Sequence, residues 1–178
     1  DYCLLVPTGD ALVGEFSDIN IIEGDELNVL SRYMLAVKKF HPDYIVRITG
    51  DSPLSSPPLI SKHIYAAVRN DLDYCSNAYE DCRSYLDGLD VEVISSEVMF
   101  WLEEHAIRPT DLEHVTTYFR KYPPPWAKVG SVIAHIDLSD IKLSVDTQSD
   151  LDAVRKNKAS IASKIETAKK LGHEIYRF

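Results

Sequence analysis

The sequence predicts an α/β fold, Rossmann-like in kind, with a mostly parallel sheet flanked by helices. Three observations carry this expectation. Short runs rich in β-branched and aromatic residues, such as Tyr44-Ile45-Val46-Arg47-Ile48, alternate with stretches whose apolar residues recur every three or four positions. Two of the β-rich runs, Val46-Arg47-Ile48-Thr49-Gly50-Asp51 and Leu143-Ser144-Val145-Asp146-Thr147, end on a carboxylate, and open α/β sheets place their ligands beyond the carboxyl ends of strands. At 178 residues, 45% apolar and 26% charged, the chain can build one substantial core, so residues 1–178 read as a single domain.

The elements follow in order. Residues 2–7 form a short apolar strand, Thr8-Gly9-Asp10 a turn, and residues 20–22 a second short strand, both peripheral. From Asp25, a plausible N-cap, Leu27, Leu30, Met34 and Val37 recur at helical spacing until His41-Pro42 stops the helix. A strand at 44–48 is followed by a Pro-rich turn. A helix then opens with Ser56 as cap and Pro57 at its first position, with Ile60, Ile64, Ala67 and Val68 facing inward.

Residues 72–76 read as a strand, 77–88 as a polar loop and 89–94 as a strand, then 97–105 as a helix. Thr110-Asp111-Leu112-Glu113 has the spacing of a capping box, opening a helix that runs through Val115 and Phe119 to the breaker Pro123-Pro124-Pro125. Strands at 129–136 and 141–145 flank an Asp137-Leu138-Ser139-Asp140 turn. The tail from Ser149 reads as helical, with Leu151, Val154, Ile161 and Ile165 as its apolar stripe.

Composition narrows the function. The net charge of −9, with no Lys/Arg block, disfavours nucleic-acid backbones as partners. No run reaches the roughly 20 apolar residues of a membrane span, and the first residues show no secretory signal. Cys3, Cys75 and Cys82 form no Cys-x-x-Cys pair, and their odd number suits reduced thiols in the cytoplasm.

The chemistry starts from Asp51 and Asp146. Mg²⁺ commonly takes one or two protein carboxylates plus substrate phosphates and waters, so two strand-end aspartates suffice; carboxylates favour Mg²⁺ or Mn²⁺ over zinc. The plain alternative is that each is a turn former, with Asp146 capping the helix at Ser149. Thr49 and Gly50 would let the backbone approach a nucleotide closely, or else form an ordinary strand-end turn. Asp90 and Glu92 share one strand face opposite Val91 and Val93, which is also what a solvent-facing side looks like, and Asp87-Gly88 suits a turn. Glu113 is explained by the capping box from Thr110, leaving His114 as the better substrate-site candidate.

Six segments in one order carry a resemblance: Gly24-Asp25-Glu26-Leu27-Asn28-Val29-Leu30-Ser31-Arg32-Tyr33; Val46 through Asp51 with Ser52-Pro53-Leu54; Asp73-Tyr74-Cys75-Ser76-Asn77; Asp87-Gly88-Leu89-Asp90-Val91-Glu92-Val93; Glu113-His114-Val115-Thr116; and Ser144-Val145-Asp146-Thr147 with Asp150-Leu151. Together they resemble the cytidylyltransferase family of spore coat polysaccharide biosynthesis protein F and, more distantly, the synthetases of CMP-activated acidic sugars. The resemblance implies the nucleotide-diphospho-sugar transferase type of fold. It implies transfer of CMP from CTP to a sugar or sugar-like acceptor with release of pyrophosphate and use of Mg²⁺, in the synthesis of surface polysaccharide or glycan precursors. It implies Asp51 and Asp146 as metal ligands, and Asn77, Asp87, Asp90, Glu92 and His114 as substrate-site residues. Homodimers are common for such domains.

Two departures stand beside it. Family members open with a first strand and a Gly-rich loop carrying Arg and Lys, whereas Cys3-Leu4-Leu5-Val6-Pro7-Thr8 resembles their second strand. The domain therefore reads as N-terminally incomplete, and Asp1 in place of an initiator Met suits a processed or trimmed piece. Ser55-Ser56 stands where relatives carry an acid. A binding or oligomerisation module derived from such an enzyme, and a metal-dependent glycosyltransferase, are the alternative readings.

Overall fold

The computed structural model describes residues 2–156 and 173–177, the last five by backbone alone. The chain divides into two compact units, Asp1–Ile45 with Ser95–Ala127, and Val46–Ile94 with Lys128–Phe178. Its α/β character agrees with the expectation.

In the first unit, β1 (Cys3–Pro7) and β2 (Asn20–Gly24) form a parallel pair in register from Cys3 opposite Asn20 to Pro7 opposite Gly24. Helix α1 (Val29–Phe40) packs on both strands and on α3 (Ser96–His105) and α4 (Pro109–His114). Leu30, Met34 and Val37 supply its buried stripe, as their spacing predicts, but Leu27 lies outside the helix and is exposed. The cap differs as well. Asn28 accepts the Ser31 N–H at 2.9 Å, while Asp25 accepts the Leu27 and Asn28 N–H groups and so closes the preceding turn. Two good capping residues compete here, and the one that begins the helical backbone is the later.

The helix expected from Thr110 to the prolines is two short ones, α4 and α5 (Thr117–Lys121), split at Val115. Val115 is fully buried with φ 59° and ψ −65°, and the Thr116 N–H donates to the His114 carbonyl at 2.6 Å, closing a three-residue γ-turn. A β-branched residue at positive φ is a strained backbone position, held by its packing.

The five-stranded sheet, most of whose residues belong to the second unit, has the order β3 (Tyr44–Arg47), β5 (Glu92–Ser95), β4 (Tyr74–Ser76), β6 (Val129–Ala134), β7 (His173–Arg177). It is mixed: β4 runs parallel to β6 but antiparallel to β5, and β6 is antiparallel to β7. Strand β7 corrects the reading of the whole tail as helical. Residues 148–156 do form a helix, α6, whereas 173–177 pair with β6; Ile161 and Ile165 lie outside the described residues. Residues 141–145, expected as a strand, form no regular one: a single bridge, Asp87 to Lys142, is all the sheet pairing they have among the described residues.

Helix α2 (Pro57–Asn70) packs on β4 and β6. Its buried face is Leu59, His63, Ala66 and Ala67, so Ile64 and Val68 are exposed and the stripe is rotated from the one expected. The small Ala66 and Ala67 let the helix lie close to the sheet, and the buried His63 Nδ1 donates to the Leu59 carbonyl at 2.8 Å. Ser56 takes the cap position without a side-chain cap bond. No helix among the described residues is long and apolar enough to cross a membrane.

Candidate functional site

Strand β3 delivers Thr49, Gly50 and Asp51 just beyond its carboxyl end. The Ser52 N–H donates to the Thr49 carbonyl at 3.1 Å, turning the chain, and the hydroxyls of Thr49 and Ser52 both donate to Asp51 Oδ1. The Asp51 carbonyl in turn accepts the Val145 N–H at 2.8 Å. Asp51 and Asp146, 95 positions apart in the chain, therefore stand on adjoining backbone segments, and both are exposed. This is the juxtaposition that spacing alone could not establish.

Asp146 does not cap the following helix. Thr147 and Asp150 do so reciprocally: Asp150 Oδ2 accepts the Thr147 N–H at 2.9 Å, and the Asp150 N–H approaches Thr147 Oγ1 at 3.3 Å, a capping box with Asp in its acidic place. The Asp146 carboxylate faces Lys142 instead, with Nζ at 2.7 Å and Asp150 Oδ2 at 3.1 Å from the same nitrogen. Hydrogen bonds to the two carboxylates push the Lys142 ammonium up, and those from Lys142 and Thr147 bring Asp150 down to about 2. Asp146 and Asp150 thus share one cation, Lys142, while the Asp51 carboxylate is bonded by the hydroxyls of Thr49 and Ser52. Two carboxylate oxygens suit Mg²⁺ completed by phosphates and waters; among the described residues no group of three or more His, Cys, Asp or Glu gathers for a protein-only metal cage. Around Gly50 the space is open: a Cβ there would meet no heavy atom within 4 Å.

A second layer lies behind. Arg83 Nη2 donates to Asp87 Oδ1 at 2.8 Å and to Asp90 Oδ1 at 2.7 Å, while burial pushes the Asp90 carboxyl up and Arg83 opposes that shift. Asp87 Oδ2 accepts the Ser144 hydroxyl at 2.9 Å. Gly88, at φ 90°, has no alternative residue: a Cβ would lie 2.4 Å from the Ser144 nitrogen. Asn77 is buried, bonding the Leu89 carbonyl at 3.0 Å and the Val91 N–H at 2.8 Å, and so clasps the loop onto the sheet. Glu92 is buried between the Arg47 guanidinium and the Tyr74 hydroxyl. All four residues of β5 are buried, so Glu92 is not on a solvent face.

Glu113 and His114 belong to the first unit, at the exposed end of α4. The capping box from Thr110 is absent. Helix α4 begins at Pro109 with Arg108 before it, and Arg108 grips the buried Asp111 from Nε at 2.7 Å and Nη2 at 3.1 Å. Sequence reasoning passed over Lys142, Arg83 and Ser144; the signal was Lys142 four residues before Asp146 and eight before Asp150, a charge pattern that becomes informative once the chain turns back at 146–147.

The fold is an α/β domain in which Asp51 lies just beyond the carboxyl end of β3, where open α/β sheets place their ligands, and Asp146 lies on the backbone segment bonded to it. The chain belongs to the cytidylyltransferase family, whose profile matches residues 10–174. It is 32% identical over 147 residues to an uncharacterized protein of Methanocaldococcus jannaschii, covering 76% of this chain and 58% of that protein. It is 24% identical over 137 residues to the spore coat polysaccharide biosynthesis protein SpsF of Bacillus subtilis, covering 76% and 55%. The chain thus spans little more than half the length of these relatives. In fold it matches a cytidylyltransferase from Leptospira borgpetersenii serovar Hardjo-bovis with a TM-score of 0.80 at 20% identity, over 93% of this chain and 75% of that one.

Proposed function

We propose that the protein transfers CMP from CTP to a sugar or sugar-like acceptor, releasing pyrophosphate, and that it acts in making precursors of a polysaccharide or other glycan. The observation that supports this reading is the hydrogen bond from the Val145 N–H to the Asp51 carbonyl, which joins Asp51 to the segment that carries Asp146. In the reaction an acceptor oxygen attacks the α-phosphorus, the bond from that phosphorus to the β-phosphate oxygen breaks, pyrophosphate leaves and the acceptor proton passes to solvent. Mg²⁺, or Mn²⁺ in its place, supplies charge neutralisation on the phosphates when bound by Asp51 and Asp146.

The protein's part is positioning. Thr49 and Gly50 offer backbone at an open surface where the nucleotide lies, and the Lys142 ammonium adds positive charge beside Asp146. Asp90, held by Arg83, is the substrate-side residue of the second unit in this reading. Family membership favours it over a glycosyltransferase or a non-catalytic module. The test is pyrophosphate release from CTP and Mg²⁺ across a panel of sugars, sugar acids and polyols. Asp51→Asn and Asp146→Asn should each lower the rate about a hundredfold or more with unchanged circular dichroism; wild-type rates in both variants would sink the reading.

A further inference from the structure

We infer that Asp87 is a positioning residue for Asp146, acting through Ser144 and the backbone of residues 141–143, and is not an acceptor ligand; this rests on the metal reading of Asp51 and Asp146. Asp87 makes four bonds, and three go to one segment. Its N–H donates to the Ile141 carbonyl at 3.0 Å, its carbonyl accepts the Leu143 N–H at 2.7 Å, and its Oδ2 accepts the Ser144 hydroxyl at 2.9 Å. The fourth, from Arg83 to Oδ1 at 2.8 Å, fixes the carboxylate's plane and leaves Oδ2 aimed at Ser144.

Two residues further on, the Val145 N–H is bound to the Asp51 carbonyl. Residues 141–146 are therefore stitched to Asp87 on one side and to Asp51 on the other. This segment forms no regular strand, so the ladder that would ordinarily hold it in place is replaced by these bonds. The close fit of Gly88 against Ser144 serves the same end, because any side chain there would push residues 143–144 away from Asp87. Groups that orient a metal-binding carboxylate from behind commonly carry a tenfold to hundredfold share of metal affinity.

The experiment is a Mn²⁺ titration of the full chain with CTP and no acceptor, followed by electron paramagnetic resonance. Asp87→Ala, Ser144→Ala and Gly88→Ala should each raise the Mn²⁺ dissociation constant about tenfold while thermal melts show a folded protein. Ser144→Ala removes one hydroxyl, so it keeps the test decisive where a harsher variant unfolds. Unchanged Mn²⁺ affinity in Ser144→Ala and in folded Asp87→Ala would overturn the proposal. Asp146→Asn separates the two levels: if it too leaves Mn²⁺ affinity unchanged, the metal reading falls and takes the proposal with it. If Asp146→Asn abolishes binding and the Asp87 and Ser144 variants do not weaken it, the positioning role alone is wrong.

Discussion

At the scale of single residues, the same carboxylate chemistry serves three ends in this protein. Asp51 and Asp146 are exposed, Asp150 caps a helix, and Glu92 is buried against Arg47 and Tyr74. Asp150 has a testable signature. Its carboxyl is held down to about 2, first by the hydrogen bond from Lys142 and then by Thr147. A folded-state value below the unfolded one, near 3.9, gives stability that is fully present above about pH 4 and is lost as pH falls through the folded value. A carbon-13 titration of the Asp150 carboxyl should therefore show a midpoint near 2; a midpoint near the unperturbed 3.9 would mean that the Lys142 and Thr147 contacts are not populated. Glu92→Gln removes the carboxylate that faces Arg47 in the interior and should cost about 3 kcal/mol in chemical denaturation. A loss well under 1 kcal/mol would show that the pair contributes little.

At the scale of elements, legibility followed periodicity and failed where local signals compete. Helix α1 could be read from Leu30, Met34 and Val37, because a stripe every three or four residues has few other solutions. Its start could not, since Asp25 and Asn28 are both good caps and only the backbone decides between them. Asn28→Ala should cost about 1 kcal/mol in denaturant unfolding, and an unchanged midpoint would return the cap to Asp25. The break at Val115 carries no warning in sequence, because a valine at positive φ is imposed by packing and not by preference. Strand β7 was hidden for a different reason. His173-Glu174-Ile175-Tyr176-Arg177 has strand character, but five residues are too few to outweigh the helical pattern preceding them.

At the scale of the whole molecule, the two aspartates proposed as metal ligands could be picked out of the sequence, whereas the bonds of the residues around them could not. Asp51 is legible because it closes a β-rich run that does form a strand, whereas the run before Asp146 has the same character and forms none. That Asn77 and Glu92 are buried, and that Asp87 reaches Ser144, depends on how the loop at 83–90 folds back on the sheet, which no local pattern encodes. A net charge of −9 also bears on the proposal: a triphosphate approaching an acidic protein needs a cation between them, and the proposed function assigns that cation to Asp51 and Asp146. The most direct measurement is anomalous diffraction from crystals of the protein grown with Mn²⁺ and CTP. The expected result is one manganese peak bonded to an oxygen of Asp51, an oxygen of Asp146 and the phosphates of CTP; a peak that lies elsewhere, or that touches neither or just one of the two aspartates, would contradict it.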